Sequence, residues 1–485
     1  MQQLSDATLI RHKCLIGHKW VDADDGAVIE VLNPLDGAKL GTVPRMGSAE
    51  TIRAIDAAAD AFPAWSGLIP NVRARLLHAW HGEIQRHLDD LARILTLEQG
   101  KPFAEARGEV AMGASYIPWF AEEARRAYGA VIPVPRRGVQ PITRLQPLGV
   151  VAAITPWNFP SSMLARKAAA ILAAGCTLVC KPASATPYSV LALAELAKRA
   201  DIPDGVINVV TGTPSAISTA IGGDFRVRAL TFTGSTAVGK ELMAAMAPTM
   251  KRLCMELGGN APFLVFDDAD LEKAVDVCMA SKFRNAGQTC ICSNRILVQR
   301  GVHDAFVKGL VGKVSALKVG GGTEPGVQCG PLIDADAARK CDAMVQDATG
   351  KGAKVLCGGT LLPDKGPGFF APTVIDGMTP DMRVFREEIF GPIAPVMAFD
   401  TEKEAVRLAN DTEFGLASYV CTRDLGRSLR VSAALEYGMV GVNDAVLAMP
   451  EVPFGGIKDS GHGREGGFEG LRDFMETRYT LLGGL

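Results

Sequence analysis

"LGVVAAIT" (148–155), "SSMLARKAAAILAAG" (161–175) and "CTLVCKP" (176–182) run in close succession, with only "TPWNFP" (155–160) bridging the first two. The first is short and apolar, with Val150, Val151 and Ile154. It reads as a buried strand. The second has serine at its start and glycine at its end, the start and stop signals of a helix. The third is strand-like again. The alternation continues: "PYSVLALAELAKRA" (187–200) is helical with proline in its first turn. "GVINVVTG" (205–212), "SAISTAIGG" (215–223), "ALTFTGS" (229–235) and "TAVGKELMAAMA" (236–247) follow as strand, helix, strand, helix. Strands that are apolar on both faces and alternate with helices predict an α/β fold with a parallel, helix-covered sheet. Ligands of such sheets bind beyond the carboxyl ends of the strands.

Outward from this block, "RILVQR" (295–300) reads as a strand. "HDAFVKGLVGKVSAL" (303–317) and "EKEAVRLANDT" (402–412) read as helices, which gives a second α/β run. The stretch 49–128 is mostly helical by its spacing. The stretches 320–330 and 358–372 are rich in glycine and proline and read as loops. A chain of 485 residues predicts two or three domains.

A net charge of -2 implies no basic face, so nucleic acid is not an expected partner. The 11 cysteines are odd in number and scattered from Cys14 to Cys421, which fits a reducing compartment better than a disulfide framework. The opening "MQQLSDATLIRHKC" has no apolar signal core. The longest apolar run, 168–180, is 13 residues, against about 20 for a membrane span. The expectation is a cytoplasmic protein with no membrane partner.

Several short motifs allow chemistry, each with a bland alternative. "GSTAVGKE" (234–241) almost matches a phosphate-cradling loop, but Glu241 stands where a metal-holding hydroxyl is needed, so the nucleotide-triphosphatase reading fails there. What remains is a Gly234–Ser235 turn at a helix start, either an anion site or an ordinary connection. Asn158 can donate to a developing oxyanion, or be a turn residue between prolines. Glu256, in "MELGGN" (255–260), can act as a base or be a surface acid, although Leu253, Met255 and Leu257 flank it with apolar side chains. In "FRNAGQTCICSNR" (283–295), Cys290 follows a helix predicted over "DLEKAVDVCMASKFRNAG" (270–287). It is either a thiolate nucleophile or a small buried hydrophobe. Cys290 and Cys292 are one residue apart and no histidine lies between His87 and His303, so no metal is expected.

Taken together, "TPWNFP", "KPAS", "FTGST", "MELGGN", "GQTC", "EEIFGP" and "PFGGIKDSGHGREGG" occur in that order between residues 155 and 467. This series resembles the aldehyde dehydrogenase superfamily, from "WVDADDG" near the start to the terminal "GGL". It is most similar to the succinate-semialdehyde dehydrogenase branch, through "ILAAGCTLVCKPAS" and "KFRNAGQTCICSNR". The resemblance implies a Rossmann-like cofactor domain (1–127 and 147–258), an α/β catalytic domain (259–445) and a small β oligomerisation or bridging piece (128–146 and 446–485). It also implies a homodimer or a homotetramer.

The implied activity is NAD(P)-dependent oxidation of a small carboxylated aldehyde, succinate semialdehyde to succinate. The alternatives are another acidic semialdehyde, such as that of 2-oxoglutarate or glutarate, or a non-catalytic binding protein of the same family. By resemblance Cys290 is the nucleophile, Asn158 the oxyanion donor and Glu256 the general base. Thr155, Pro156, Trp157, Lys181, Ser184, Gly234, Ser235, Glu388 and Phe390 are implied at the cofactor. Serine at 184, where strictly NAD-using relatives often carry glutamate, favours NADP, with NAD as the alternative. Arg166 and Arg284 match arginines that grip the substrate carboxylate. Cys292 resembles a cysteine that pairs with the nucleophile under oxidation. One departure concerns the loop "NDAVLAMPEVPFGG" (443–456), where Ala448 and Met449 stand in place of the branch's serine.

Overall fold

The structure, a computed structural model, describes residues 4–484; the first three residues of the opening segment and the last leucine of "GGL" lie outside the described residues. Two mainly parallel sheets carry the fold. The first has six strands in the order Gly461–His462, Arg252–Glu256, Val227–Thr233, Val150–Ile154, Thr177–Lys181, Ile207–Val209. Its five longer-range members are parallel and Gly461–His462 is antiparallel. The chain starts in the middle at Val150–Ile154, moves one way to Ile207–Val209, then returns to the other side with Val227–Thr233. This reversal opens a crevice at the carboxyl ends, between the residues after Ile154 and those after Thr233.

The second sheet has seven strands in the order Lys354–Cys357, Thr373–Asp376, Ile393–Phe399, Ser293–Gln299, Ala261–Val265, Ala417–Cys421, Met439–Val442. A separate three-stranded antiparallel sheet joins Met475–Gly483, Val139–Pro147 and Ala130–Val131. The α/β class read from residues 148–247 is the class of the structure, and each strand and helix placed there is present.

Helix Pro160–Ala174 shows why the first sheet is two-sided. Proline opens it, Gly175 closes it at φ 93°, and all its residues are buried. It has no side-chain cap of its own. Glu109, from helix Phe103–Glu123, accepts the Ser161 and Ser162 amides at 3.1 and 3.2 Å instead. Glu98 does the same for helix Pro187–Arg199, accepting from Tyr188 and Ser189 at 2.8 Å. A carboxylate suits a helix start because free N–H groups and the helix dipole meet it there. Gly113 lets the helices Phe103–Glu123 and Pro160–Ala174 close together, since a Cβ on it would stand 2.6 Å from Ser162 Cα.

One predicted element is shorter than the sequence spacing implies. Helix Leu271–Lys282 stops five residues before Gly287. Asn285, Ala286 and Gly287 then take left-handed backbone, with φ of 52°, 53° and 76°. Gly287 has a steric reason to be glycine: a Cβ there would lie 2.2 Å from the Gly391 carbonyl. The helical period of 270–287 continues in sequence, but a tertiary contact requires the glycine of the turn that follows the helix. Among the described residues no helix is long and apolar enough to cross a membrane.

Candidate active site

Two cavities meet at Cys290. One, of 290 Å³, lies in the crevice of the first sheet, with Trp157, Gly234, Ser235, Glu388 and Phe390 in its wall. The other is narrower and is walled by Phe159, Ser162, Arg166, Arg284, Ala448 and Phe454. Cys290 is the residue that lines both.

The nucleophile candidate is held by glycines and by Asn158. A Cβ on Gly259 would lie 2.3 Å from the Cys290 carbonyl, so the "GG" of "MELGGN" is where the two sheets' connections nearly touch. Asn158 Nδ2 donates to the Gln288 carbonyl at 3.0 Å. The Asn158 carbonyl in turn accepts from Lys101 Nζ at 2.8 Å and Asn285 Nδ2 at 3.0 Å. Lys101 is itself buried and ion-paired with Glu109. Burial pushes the Cys290 thiol up to about 12. Glu388 and Glu256 push it the same way, while Arg166 and Arg284 oppose them. At neutral pH the resting group is therefore a thiol.

Glu256 ends strand Arg252–Glu256, is 2% exposed, and neither of its carboxylate oxygens has a hydrogen-bond partner. Gly455 leaves room for it: a Cβ there would stand 2.9 Å from Oε1. Burial, and then the charge of Glu465, raise its pKa well above the ordinary carboxylate value; Arg166, Lys167 and Arg464 pull the other way. Glu256 lines neither cavity wall itself; in its carboxylate form, with no hydrogen-bond donor held on it among the described residues, it fits a proton acceptor.

Arg166 and Arg284 both line the narrow cavity but differ in state. Arg166 is 4% exposed, ion-paired to Glu465 at 2.5 Å, and stacked over the Phe454 ring at 4.4 Å. Lys167, also buried, binds the same Glu465 and Thr231 Oγ1. Burial opposes the Glu465 charge, but Arg166 and Lys167 outweigh it and hold its pKa below the ordinary value. Arg284 is exposed, sits 5.4 Å over Phe159, and forms no ion pair among the described residues.

Around the larger cavity, Ser235 caps helix Thr236–Met246 and Gly234 N–H donates to the Glu256 carbonyl at 3.1 Å. Glu388 Oε1 accepts from Gly259 N–H at 3.0 Å, and burial raises its pKa to about 7 against that bond and the charges of Lys340 and Lys282. Phe390 has φ 55° and meets Trp157 edge-on at 5.5 Å. Pro156 is in the wall as well, whereas Thr155, Lys181 and Ser184 lie outside it. Thr155 is buried beneath the wall, and Lys181 donates only to the Pro182 carbonyl, at 3.2 Å. Cys292 lines neither cavity: its buried Sγ accepts from Lys282 Nζ at 3.2 Å, and both cysteines are free thiols.

Sequence reasoning missed Thr233, whose buried hydroxyl has no partner and whose residue lines the larger cavity. It also missed Lys340, which lines the same cavity and donates to the Glu388 carbonyl at 2.8 Å, and Glu465. Thr233 sits directly before the Gly234–Ser235 turn, so its place at a strand's carboxyl end was a usable signal. Glu465 stands before two glycines in the motif at 453–467, which was a usable signal; nothing local marks Lys340. Among the described residues no group of three His, Cys, Asp or Glu side chains is arranged to hold a metal ion.

Comparison with known proteins gives the family. The sequence model of the aldehyde dehydrogenase family matches residues 20–480. The chain is 52% identical over 481 residues to the NADP(+) succinate-semialdehyde dehydrogenase GabD of Escherichia coli (strain K12), covering 99% of this chain and all of that protein. It is 53% identical over 484 residues to a glutarate-semialdehyde dehydrogenase of Pseudomonas putida (strain KT2440), with 99% of each covered. A crystal structure described as an E. coli NADP-dependent enzyme superposes with a TM-score of 0.98 at 52% identity, over 99% of this chain and 100% of that one. With a nucleophile candidate between two cavities, and kinship over nearly its whole length, the chain belongs to the aldehyde dehydrogenase family.

Proposed function

We propose that the protein oxidises a small aldehyde carrying a distant carboxylate, with succinate semialdehyde as the first substrate and glutarate or 2-oxoglutarate semialdehyde as the alternatives. The observation that carries this reading is the position of Cys290: one side opens on Arg284 and Arg166, the other on the Gly234–Ser235 helix start. The fork of an arginine matches a carboxylate, and Arg284 forms no ion pair among the described residues.

NADP, or NAD as the alternative, fits the larger cavity. Thr233 offers a buried unpartnered hydroxyl, Ser235 and Gly234 a helix start for phosphate, and Glu388 a carboxylate for ribose hydroxyls. Ser184 and Lys181, beyond the wall, present no acid against a ribose phosphate. When bound, the nicotinamide accepts the hydride released by the substrate carbon.

In this account the Cys290 thiol gives up its proton to solvent and the sulfur adds to the aldehyde carbon to form a thiohemiacetal. Asn158 Nδ2 and the Cys290 N–H hold the oxygen that becomes negative. Loss of hydride from the carbon leaves a thioester on Cys290. Glu256 takes a proton from the water that attacks it, so the acid departs and the sulfur is freed. Replacing Cys290 by alanine tests this directly: nicotinamide reduction falls by on the order of 10³-fold or more while cofactor still binds. Retained turnover in C290A would remove the covalent route.

The same proposal covers assembly and redox state. The segments 1–127 with 147–258 serve as the cofactor domain, 259–445 as the catalytic domain, and 128–146 with 446–485 as the bridging piece of a homodimer or homotetramer. In support, the three-stranded sheet leaves Val131, Tyr479 and Leu481 exposed, 63%, 59% and 45%, on strands with open edges. Light scattering before and after deletion from residue 475 tests it, and an unchanged mass would refute it. A Cys290–Cys292 disulfide requires Cys292 to leave Lys282. Peroxide inactivation reversed by dithiothreitol in the native enzyme, and absent in Cys292→Ser, supports such a switch. An identical response in the variant removes it.

A further inference from the structure

We propose that Ser162 is a specificity-determining residue: its hydroxyl, together with Arg284, holds the substrate's carboxylate, a role for which Ala448 offers no donor. The inference rests on the reading of the substrate as an acidic aldehyde. Of the residues lining the narrow cavity, the polar ones are Ser162, Arg166, Arg284, Thr289 and Cys290. Thr289 adjoins Cys290 in the chain and so belongs to the reacting end. Arg166 is committed: Glu465 and the Phe454 ring hold its guanidinium, and Nη2 points to Met163 Sδ at 3.0 Å.

Ser162 is differently placed. It is 3% exposed, and its hydroxyl makes a single long contact, 3.5 Å to the Phe159 carbonyl of its own turn. A buried hydroxyl with so weak a partner gains by turning to an anion. Ser162 stands one turn before Arg166 on helix Pro160–Ala174, so the two share a face. It also stands three residues after Phe159, the ring beneath Arg284. Arg284, Ser162 and Arg166 thus line the same narrow cavity. The close approach of Gly113 fixes the backbone of its wall at Ser162. Ala448, in the same cavity, brings only a methyl group.

The test compares kcat and KM for succinate semialdehyde and for a neutral aldehyde of equal chain length in the wild type, Ser162→Ala, Ala448→Ser and the double variant. In S162A the ratio of kcat/KM, acidic over neutral, falls roughly tenfold, and the loss is in KM. Adding A448S to S162A restores most of the ratio. An unchanged ratio in S162A, or equal losses for both aldehydes, overturns the role of Ser162 while leaving the acidic substrate standing. A wild type without preference for the acidic aldehyde defeats the substrate reading itself, and this inference with it.

Discussion

The side-chain amide of Asn158 donates to the backbone carbonyl of Gln288 at 3.0 Å, two residues before Cys290. This bond joins the loop after a strand of the first sheet to the loop that carries Cys290. The amide thus has one hydrogen engaged in holding the loop and one free for a substrate oxygen. Asn158→Ala is expected to lower kcat by about 10²–10³-fold. Fluorescence titration should show cofactor affinity within twofold or so of the wild type, since the loss lies at the reacting carbon.

Glu256 supplies a second expectation. With Glu256→Gln the first half-reaction survives and thioester hydrolysis fails. Rapid mixing should show a burst of reduced nicotinamide near one equivalent, then turnover slower by about 10²–10⁴-fold. The pKa of Glu256 lies above the ordinary value because burial and Glu465 disfavour its charge. Its base form therefore grows as pH rises above the ordinary carboxylate range, and kcat should rise with it. In the variant that limb should be absent.

Glu388 titrates in an accessible range. Its pKa of about 7 means that the carboxylate replaces the acid as pH rises through neutrality. If the carboxylate holds ribose hydroxyls, cofactor dissociation constants should fall as pH goes from below 6 or so to above 8 or so. Glu388→Gln should flatten the curve. Calorimetric titration at several pH values checks both.

The Lys101–Glu109 pair is buried and carries the Asn158 carbonyl on the lysine. Lys101→Met strands Glu109 without its partner and should cost about 3–5 kcal/mol in denaturant unfolding. Activity should fall along with it, because the Asn158 loop loses a support. Removing both charges, with Lys101→Met and Glu109→Leu, should recover part of the stability, although Ser161 and Ser162 then lose their acceptor.

These residues also show what could be read from the sequence. The first sheet was legible because its strands are apolar on both sides and its helices carry proline and glycine at their ends. Cys290, Glu256 and Asn158 sit beside glycines or prolines in short motifs, so local pattern drew attention to them. Lys101, between Gly100 and Pro102, and Glu465, before Gly466 and Gly467, stand in equally marked places, yet the partners that give them a role are distant in the chain. Glu465 meets Lys167 across 298 positions, a relation that no spacing rule reaches. The turn after Lys282 was hidden for the same reason, since the carbonyl that requires glycine at 287 belongs to Gly391. The states of the two arginines are tertiary as well: one is spent on Glu465 and the other forms no ion pair among the described residues.

The most direct test of the account is the initial rate of nicotinamide reduction by the wild-type enzyme with NADP, comparing succinate semialdehyde with a neutral aldehyde of equal length. Arg284, which forms no ion pair among the described residues, together with a buried Ser162 hydroxyl in the same cavity, predicts kcat/KM at least about tenfold higher for the acidic aldehyde. Equal values for the two would contradict the assignment of the narrow cavity to a carboxylate.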